Sequence, residues 1–95
     1  MYRNITKETV IGRKTNLPFV EMDGEVGMLN VDNGKYYSLE NVAARIWELI
    51  ATEKSINDIV SILLEEYEID KDNCFTQVIS FAESLKNEGL IDVKG

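Results

Sequence analysis

The sequence contains no histidine, one cysteine, one proline and one tryptophan. Without histidine, an imidazole acid–base pair, a Cys–His dyad and a His-ligated zinc are all excluded. A single cysteine, Cys74, permits no intrachain disulfide, so nothing in the composition marks an oxidising compartment. No apolar run approaches the ~18 residues that a spanning helix needs, and the first residues form no apolar signal segment. The expectation is a cytoplasmic protein with no membrane association. Cations are also scarce, with ten Lys and Arg against seventeen Asp and Glu and a formal net charge of −7. A nucleic-acid surface needs clustered Lys and Arg to neutralise phosphates. Here they are scattered, and the one adjacent pair, Arg13-Lys14, reads as a solvated loop.

What is present describes an ordinary folded domain. Of 95 residues, 44% are hydrophobic and 28% charged, enough for one core but not two. So small a core leaves little room for a deep, water-excluding active site. Glu65, Glu66 and Glu68 have no convergent partner and read as a solvated helix end. Cys74 falls near a helix start, where a thiol pKa drops, but it lies on an apolar line with no base and reads as a structural thiol. The expectation is therefore no enzyme, no cofactor and no metal.

Residues 1–16 are polar with scattered hydrophobes and read as a loosely structured arm, with a short strand around residues 9–11. The folded domain is expected over 17–93. Residues 17–22 form a first strand, with Pro18 suited to an edge, and Asp23-Gly24 marks a turn. Residues 26–31 and 35–39 flank Asn33-Gly34, a pair that favours a two-residue type I′ hairpin. That turn would set Asp32 opposite Lys35, Val31 opposite Tyr36, Asn30 opposite Tyr37 and Met28 opposite Leu39. Alternation puts Met28, Asn30, Tyr37 and Leu39 on one face, and Leu29, Val31, Tyr36 and Ser38 on the other.

Three helices follow. The first, over 40–52, carries Val42, Ala43, Ile46, Trp47, Leu49 and Ile50 at helical spacing, with Trp47 as core anchor. The second starts at Ser55, with Asp58 three residues on in a near capping box. The third starts near 70–72 and ends before Gly89, a C′ residue. Leu90, Ile91 and Val93 make a short tail able to fold back on the core. The fold class is α+β: a small three-stranded antiparallel sheet followed by three helices, in a winged helix-turn-helix arrangement.

On the third helix, Cys74, Val78, Phe81 and Leu85 share one line, read as the core face. A second line, rotated by a quarter turn, carries Phe75, Ile79, Ala82 and Lys86. It reads either as part of a wide buried face or as a groove beside the sheet. The strand 35–39 offers an edge whose unpaired N–H and C=O groups can template another extended chain. The peptide-binding candidates are therefore Val31, Lys35, Tyr36, Tyr37, Ser38 and Leu39 on the hairpin, and Phe75, Val78, Ile79, Ala82 and Lys86 on the helix. The competing readings are a winged-helix DNA-binding domain, which the charge disfavours, and another protein–protein adaptor.

The ordered set Gly34-Lys35-Tyr36-Tyr37-Ser38-Leu39, Ala43, Ile46-Trp47-Glu48-Leu49, Ser55-Ile56, Ile59-Val60, Leu64-Glu65-Glu66-Tyr67, Val78, Phe81, Leu85 and Gly89-Leu90-Ile91 resembles the PqqD family. One departure is Glu40, where the family commonly has an Asn able to cap the first helix; Ser38 or Asn41 would have to serve. The resemblance implies a recognition element that binds the leader segment of a ribosomally made precursor peptide. In that family the leader adds as an antiparallel strand to the third strand and rests against the third helix. Partners would be the precursor leader peptide and either a leader peptidase, in a lasso-peptide setting, or a radical SAM maturation enzyme; the lasso setting is favoured.

Overall fold

A computed structural model describes residues 4–15 and 17–94. Six strands and three helices run in the order β1 (Val10–Arg13), β2 (Phe19–Met22), β3 (Glu25–Asn30), β4 (Lys35–Glu40), α1 (Val42–Leu49), β5 (Lys54–Ser55), α2 (Ile56–Glu66), α3 (Lys71–Asn87) and β6 (Ile91–Lys94). The class is α+β as expected, but there are two three-stranded antiparallel sheets, ordered β2-β3-β4 and β5-β1-β6.

The second sheet is the main departure from the sequence reading. The stretch read as a loose arm with a short strand supplies its central strand, with Val10 opposite both Ser55 and Lys94. Ile11 is fully buried there. The tail after α3 does fold back, as β6. Arg13 is not in a solvated loop. Its guanidinium lies 4.8 Å from the Phe19 ring centroid and 5.0 Å from that of Trp47, and its Nε donates to the Trp47 carbonyl at 2.9 Å. Burial lowers the Arg13 pKa, against the pull of Glu21 and Glu48. Trp47 is wholly buried, with Phe19 edge-on at 5.8 Å. Its indole N–H has no acceptor among the described residues, so packing and Arg13 hold the ring.

The helix ends explain themselves locally. Ser55 accepts the Asp58 N–H at 3.1 Å and Asp70 the Asn73 N–H at 3.1 Å, each occupying a donor the first turn leaves free. At the end of α3, Gly89 (φ 74°) lets its N–H reach the Lys86 carbonyl and the Leu90 N–H reach that of Leu85, at 3.0 and 2.9 Å. This is a Schellman closure. α1 is different: neither Ser38 nor Asn41 caps it. Ser38 lies within β4 and Asn41 takes φ 56° with no side-chain cap bond, a conformation that turns the chain abruptly from strand to helix.

The hairpin register also departs from the expectation. Asn30 pairs with Lys35, Met28 with Tyr37 and Val26 with Leu39, so the loop is four residues, Val31 to Gly34. A type I′ turn requires positive φ at both Asn33 and Gly34, and only Gly34 (φ 73°) has it. Side chains build the longer loop instead. Asn30 Oδ1 accepts the Asp32 N–H and Asn33 Oδ1 the Lys35 N–H, both at 2.9 Å, while the Gly34 N–H reaches the Asn30 carbonyl at 2.8 Å. Because the slip is an even number of residues, it leaves every side chain on its expected face.

Candidate functional site

The first sheet has one face on the core and one in solvent. Val26, Met28 and Asn30 of β3 are buried, and Tyr37 and Leu39 of β4 half-buried beside them. On the other face Val20, Met22, Leu29 and Tyr36 are exposed, with Val31 in the adjoining loop. The Tyr36 ring lies across Gly27, where any Cβ would collide with it, so Gly27 is what lets the ring lie flat on the sheet.

The outermost strand on one side is β4, and register tells which of its groups face outward. The Leu29 N–H donates to the Pro18 carbonyl at 3.2 Å, so odd-numbered β3 residues turn their backbone groups to β2 and even-numbered ones to β4. In an antiparallel ladder the pairs alternate. Tyr37 and Leu39, opposite Met28 and Val26, therefore point inward to β3. Tyr36, Ser38 and Glu40 direct theirs to the open edge.

Cys74 and Phe81 of α3 and Glu88 at its C-cap stand seven apart, and Glu88 is the one that meets β4. At the start of α3, Cys74, Gln77, Val78 and Phe81 border an opening of about 200 Å³, closed on the far side by Val42, Ala43 and Ile46 of α1, with Leu63 and Ile69. At the end of α3, Tyr37 Oη donates to Glu88 Oε1 at 2.5 Å. Lys35 Nζ stands 3.8 Å from the same carboxylate, and Asn30 Nδ2 donates to the Glu88 carbonyl at 3.0 Å. The bond to Glu88 raises the Tyr37 pKa above its ordinary value, with desolvation adding to it. Burial pushes the Cys74 thiol up, so it stays protonated at neutral pH, as a structural thiol should.

The sequence candidates divide on this map. Val31, Lys35, Tyr36 and Ser38 are exposed on the hairpin, and Tyr37 and Leu39 line its inner face. Val78 is 3% exposed at the floor of the opening. Phe75 and Ala82, at 7% and 1%, are core residues. Ile79 and Lys86 are half-buried on the same side of α3. That side is covered by the chain's own N-terminal segment. Lys7 Nζ sits 4.4 Å over the Phe75 ring and the Ile5 N–H reaches Glu83 Oε2 at 3.2 Å. Of the two readings of the second stripe, the burial of Phe75 and Ala82 matches the wide buried face, and the opening lies across the first stripe. Gln77 and Glu88 were not singled out in the sequence, and Phe81, Val42, Ala43 and Ile46, which border the opening with Gln77, were read as core.

A larger cleft, about 480 Å³, lies at the other end of β4 and is lined by Glu21, Asp23, Glu25, Glu40 and Glu48 among others. Its cation, Arg45, is engaged with Glu66 at 2.6 and 2.8 Å. That bond holds the Glu66 carboxyl below its usual value. Glu66 is thus an interhelical tie to α1 and not merely a solvated end. Among the described residues no group of three His, Cys, Asp or Glu is placed to hold a metal ion, and no helix is long and apolar enough to cross a membrane.

Residues 25–91 match the family model described as coenzyme PQQ synthesis protein D (PqqD). The solved structure of TbiB1 in complex with the TbiA(beta) leader peptide superposes with a TM-score of 0.80 at 27% identity, over 85% of this chain and 94% of that one. Lasso peptide synthetase B1 complexed with the leader peptide gives 0.76 at 22% identity, over 86% and 96%. No curated protein matches the chain.

Proposed function

The chain belongs to the PqqD family, and from that premise we propose that it binds the leader segment of a ribosomally synthesised precursor peptide and delivers it to maturation enzymes, in the manner of lasso-peptide biosynthesis. The observation that carries this reading is the open edge of β4, in a chain that also has an apolar opening between α1 and α3. Among the described residues the backbone groups of Tyr36, Ser38 and Glu40 have no partner on the outer side, and in this reading side chains of the added strand reach Val78, Phe81 and Ile46 in the opening. Strand addition takes affinity from main-chain bonds and selectivity from adjoining pockets. An antiparallel leader would run with its N-terminal end at Glu40 and its C-terminal end at Lys35.

In this reading the β3–β4 hairpin is the wing of a winged helix-turn-helix, and residues 17–93 carry the binding unit, with the preceding segment packed behind α3. Lys35, Tyr36, Ser38 and Val31 contact the leader from the hairpin, Tyr37, Leu39 and Val78 from the groove wall, while Ile79 and Lys86 lie outside the contact. The role is binding without catalysis. The downstream partner is a leader peptidase, or a radical SAM enzyme if the product is of the quinone-cofactor type, and the setting is cytoplasmic. Two features support a peptide over DNA: the net charge of −7 and the acidic cleft at one end of the edge.

The test is a fluorescence titration with a labelled peptide carrying the leader of the precursor encoded beside this chain. Saturable binding below about 100 μM, which corresponds to roughly 5.5 kcal/mol, is expected. Its absence would sink the reading.

A further inference from the structure

We propose that Glu88 is a positioning residue for the peptide-binding edge: it pins the tip of the β3–β4 hairpin to the end of α3 and so fixes the open strand beside the groove before a leader arrives. This deepens the reading above and rests on it.

Three contacts converge on this one residue from both strands of the hairpin. The carboxylate receives the Tyr37 hydroxyl at 2.5 Å and faces Lys35 Nζ at 3.8 Å, both from β4. The backbone carbonyl receives Asn30 Nδ2 at 3.0 Å, from β3. Asn30 is itself buried and its Oδ1 builds the hairpin loop; Asn33 Nδ2 of that loop reaches the Tyr37 hydroxyl at 3.3 Å. The loop, the edge strand and the helix end are thus one hydrogen-bonded unit.

The base of the hairpin is already held by Val26 and Met28 in the core. Nothing of that kind holds the tip, where residues 31–36 are exposed. Without the Glu88 carboxylate, β4 keeps its pairing with β3 but gains freedom to swing relative to α3. A leader touching both elements would then bear the ordering cost itself, and its apparent affinity would fall with the fraction of molecules in the competent geometry. The Glu88 carboxylate acts on the ligand through Tyr37. The Lys35 contact is long and exposed, so it adds little.

Glu88→Ala, Glu88→Gln and Tyr37→Phe proteins would be titrated with the same labelled leader as the wild type, and their melting temperatures compared. Glu88→Ala is expected to weaken binding about tenfold, the equivalent of one charge-assisted bond of ~1.4 kcal/mol. Glu88→Gln keeps an oxygen that accepts the Tyr37 hydroxyl and should stay within about twofold of wild type. Tyr37→Phe should match Glu88→Ala, and the double variant should be no weaker than either single one. The Asn30 bond goes to the backbone and survives every substitution at position 88, so melting temperatures should stay near that of wild type. The proposal is overturned if Glu88→Ala binds as wild type does, if Gln fails to rescue, or if the two losses add. A wild-type protein that does not bind removes the leader-binding reading and this inference with it. A wild-type protein that binds, with indifferent latch variants, removes this inference alone.

Discussion

On one side of α3, Phe75 lies under Lys7 and Glu83 takes the Ile5 N–H. On the other, Cys74, Gln77 and Phe81 border an opening that no segment among the described residues fills. Both sides are apolar and both follow helical spacing. What separates them is their cover, since the chain's own N-terminal segment supplies it for the first and leaves the second open among the described residues. Apolarity on a helix therefore says that a face will be covered, and only the path of the rest of the chain says by what.

The largest effect that probes this contrast is on stability. Phe75→Ala empties a core position and should cost about 3–4 kcal/mol in urea unfolding. If it instead weakened leader binding with stability intact, the two sides of α3 would have to be exchanged. Next comes the edge itself. Ser38→Pro removes an outward N–H and places a ring where the leader backbone would lie, and should weaken binding about thirtyfold, ~2 kcal/mol, with circular dichroism unchanged. Tyr37→Pro makes the control, because its N–H points to Met28 and its loss should disrupt the hairpin. Phe81→Ala is the counterpart of Phe75→Ala: for a half-buried residue on the open side, affinity should fall about fivefold and stability by only about 1 kcal/mol.

The smallest effect is a dependence on pH at the tie between α1 and α2. Arg45 holds Glu66 below its ordinary value of 4.5. A carboxyl depressed in the folded state stabilises fully above its unfolded pKa, and the contribution disappears as pH falls through the lowered value. Wild type should thus lose stability as pH falls through and below the ordinary carboxylate range by a margin that Arg45→Ala lacks, measured by thermal melts. Tyr37 has the opposite sign. Its pKa is raised from 10.0, so the bond to Glu88 persists through neutral pH and is lost only in alkali, and leader affinity should be flat on the acid side of that transition.

The helices, the cap at Ser55, the start of α3 near Asp70, the closure at Gly89 and the two faces of the hairpin were legible in the sequence, because each depends on a few adjacent residues. The four-residue loop was not. Asn33-Gly34 satisfies the two-residue pattern, and the competing bonds from Asn30 and Asn33 side chains become decisive only once Asn30 is fixed by Glu88. The second sheet was hidden for a related reason: its strands are four, two and four residues long, too short to show alternation, and they meet from three distant parts of the chain. At the site, the hairpin edge could be read from strand order, whereas the side of α3 that borders it could not. Choosing between the stripes required knowing where residues 4–9 go.

Those same residues bear on how the molecule is made. The carbonyls of Lys7 and Thr9 accept the N–H groups of Asn57 and Ile56 at 2.9 Å, and β1 is hydrogen-bonded to β6 along its whole length. The first turn of α2 thus waits for partners about half the chain away, and the earliest strand for one near the far end of the sequence. Such closure is slow, because chain entropy must be lost before the contacts form. The hairpin and α3 can assemble locally, so the half of the molecule that carries the open edge should be ordered first and the sheet around β1 last. A folding experiment should find protection of Met28 and Tyr37 amides appearing before that of Ile11.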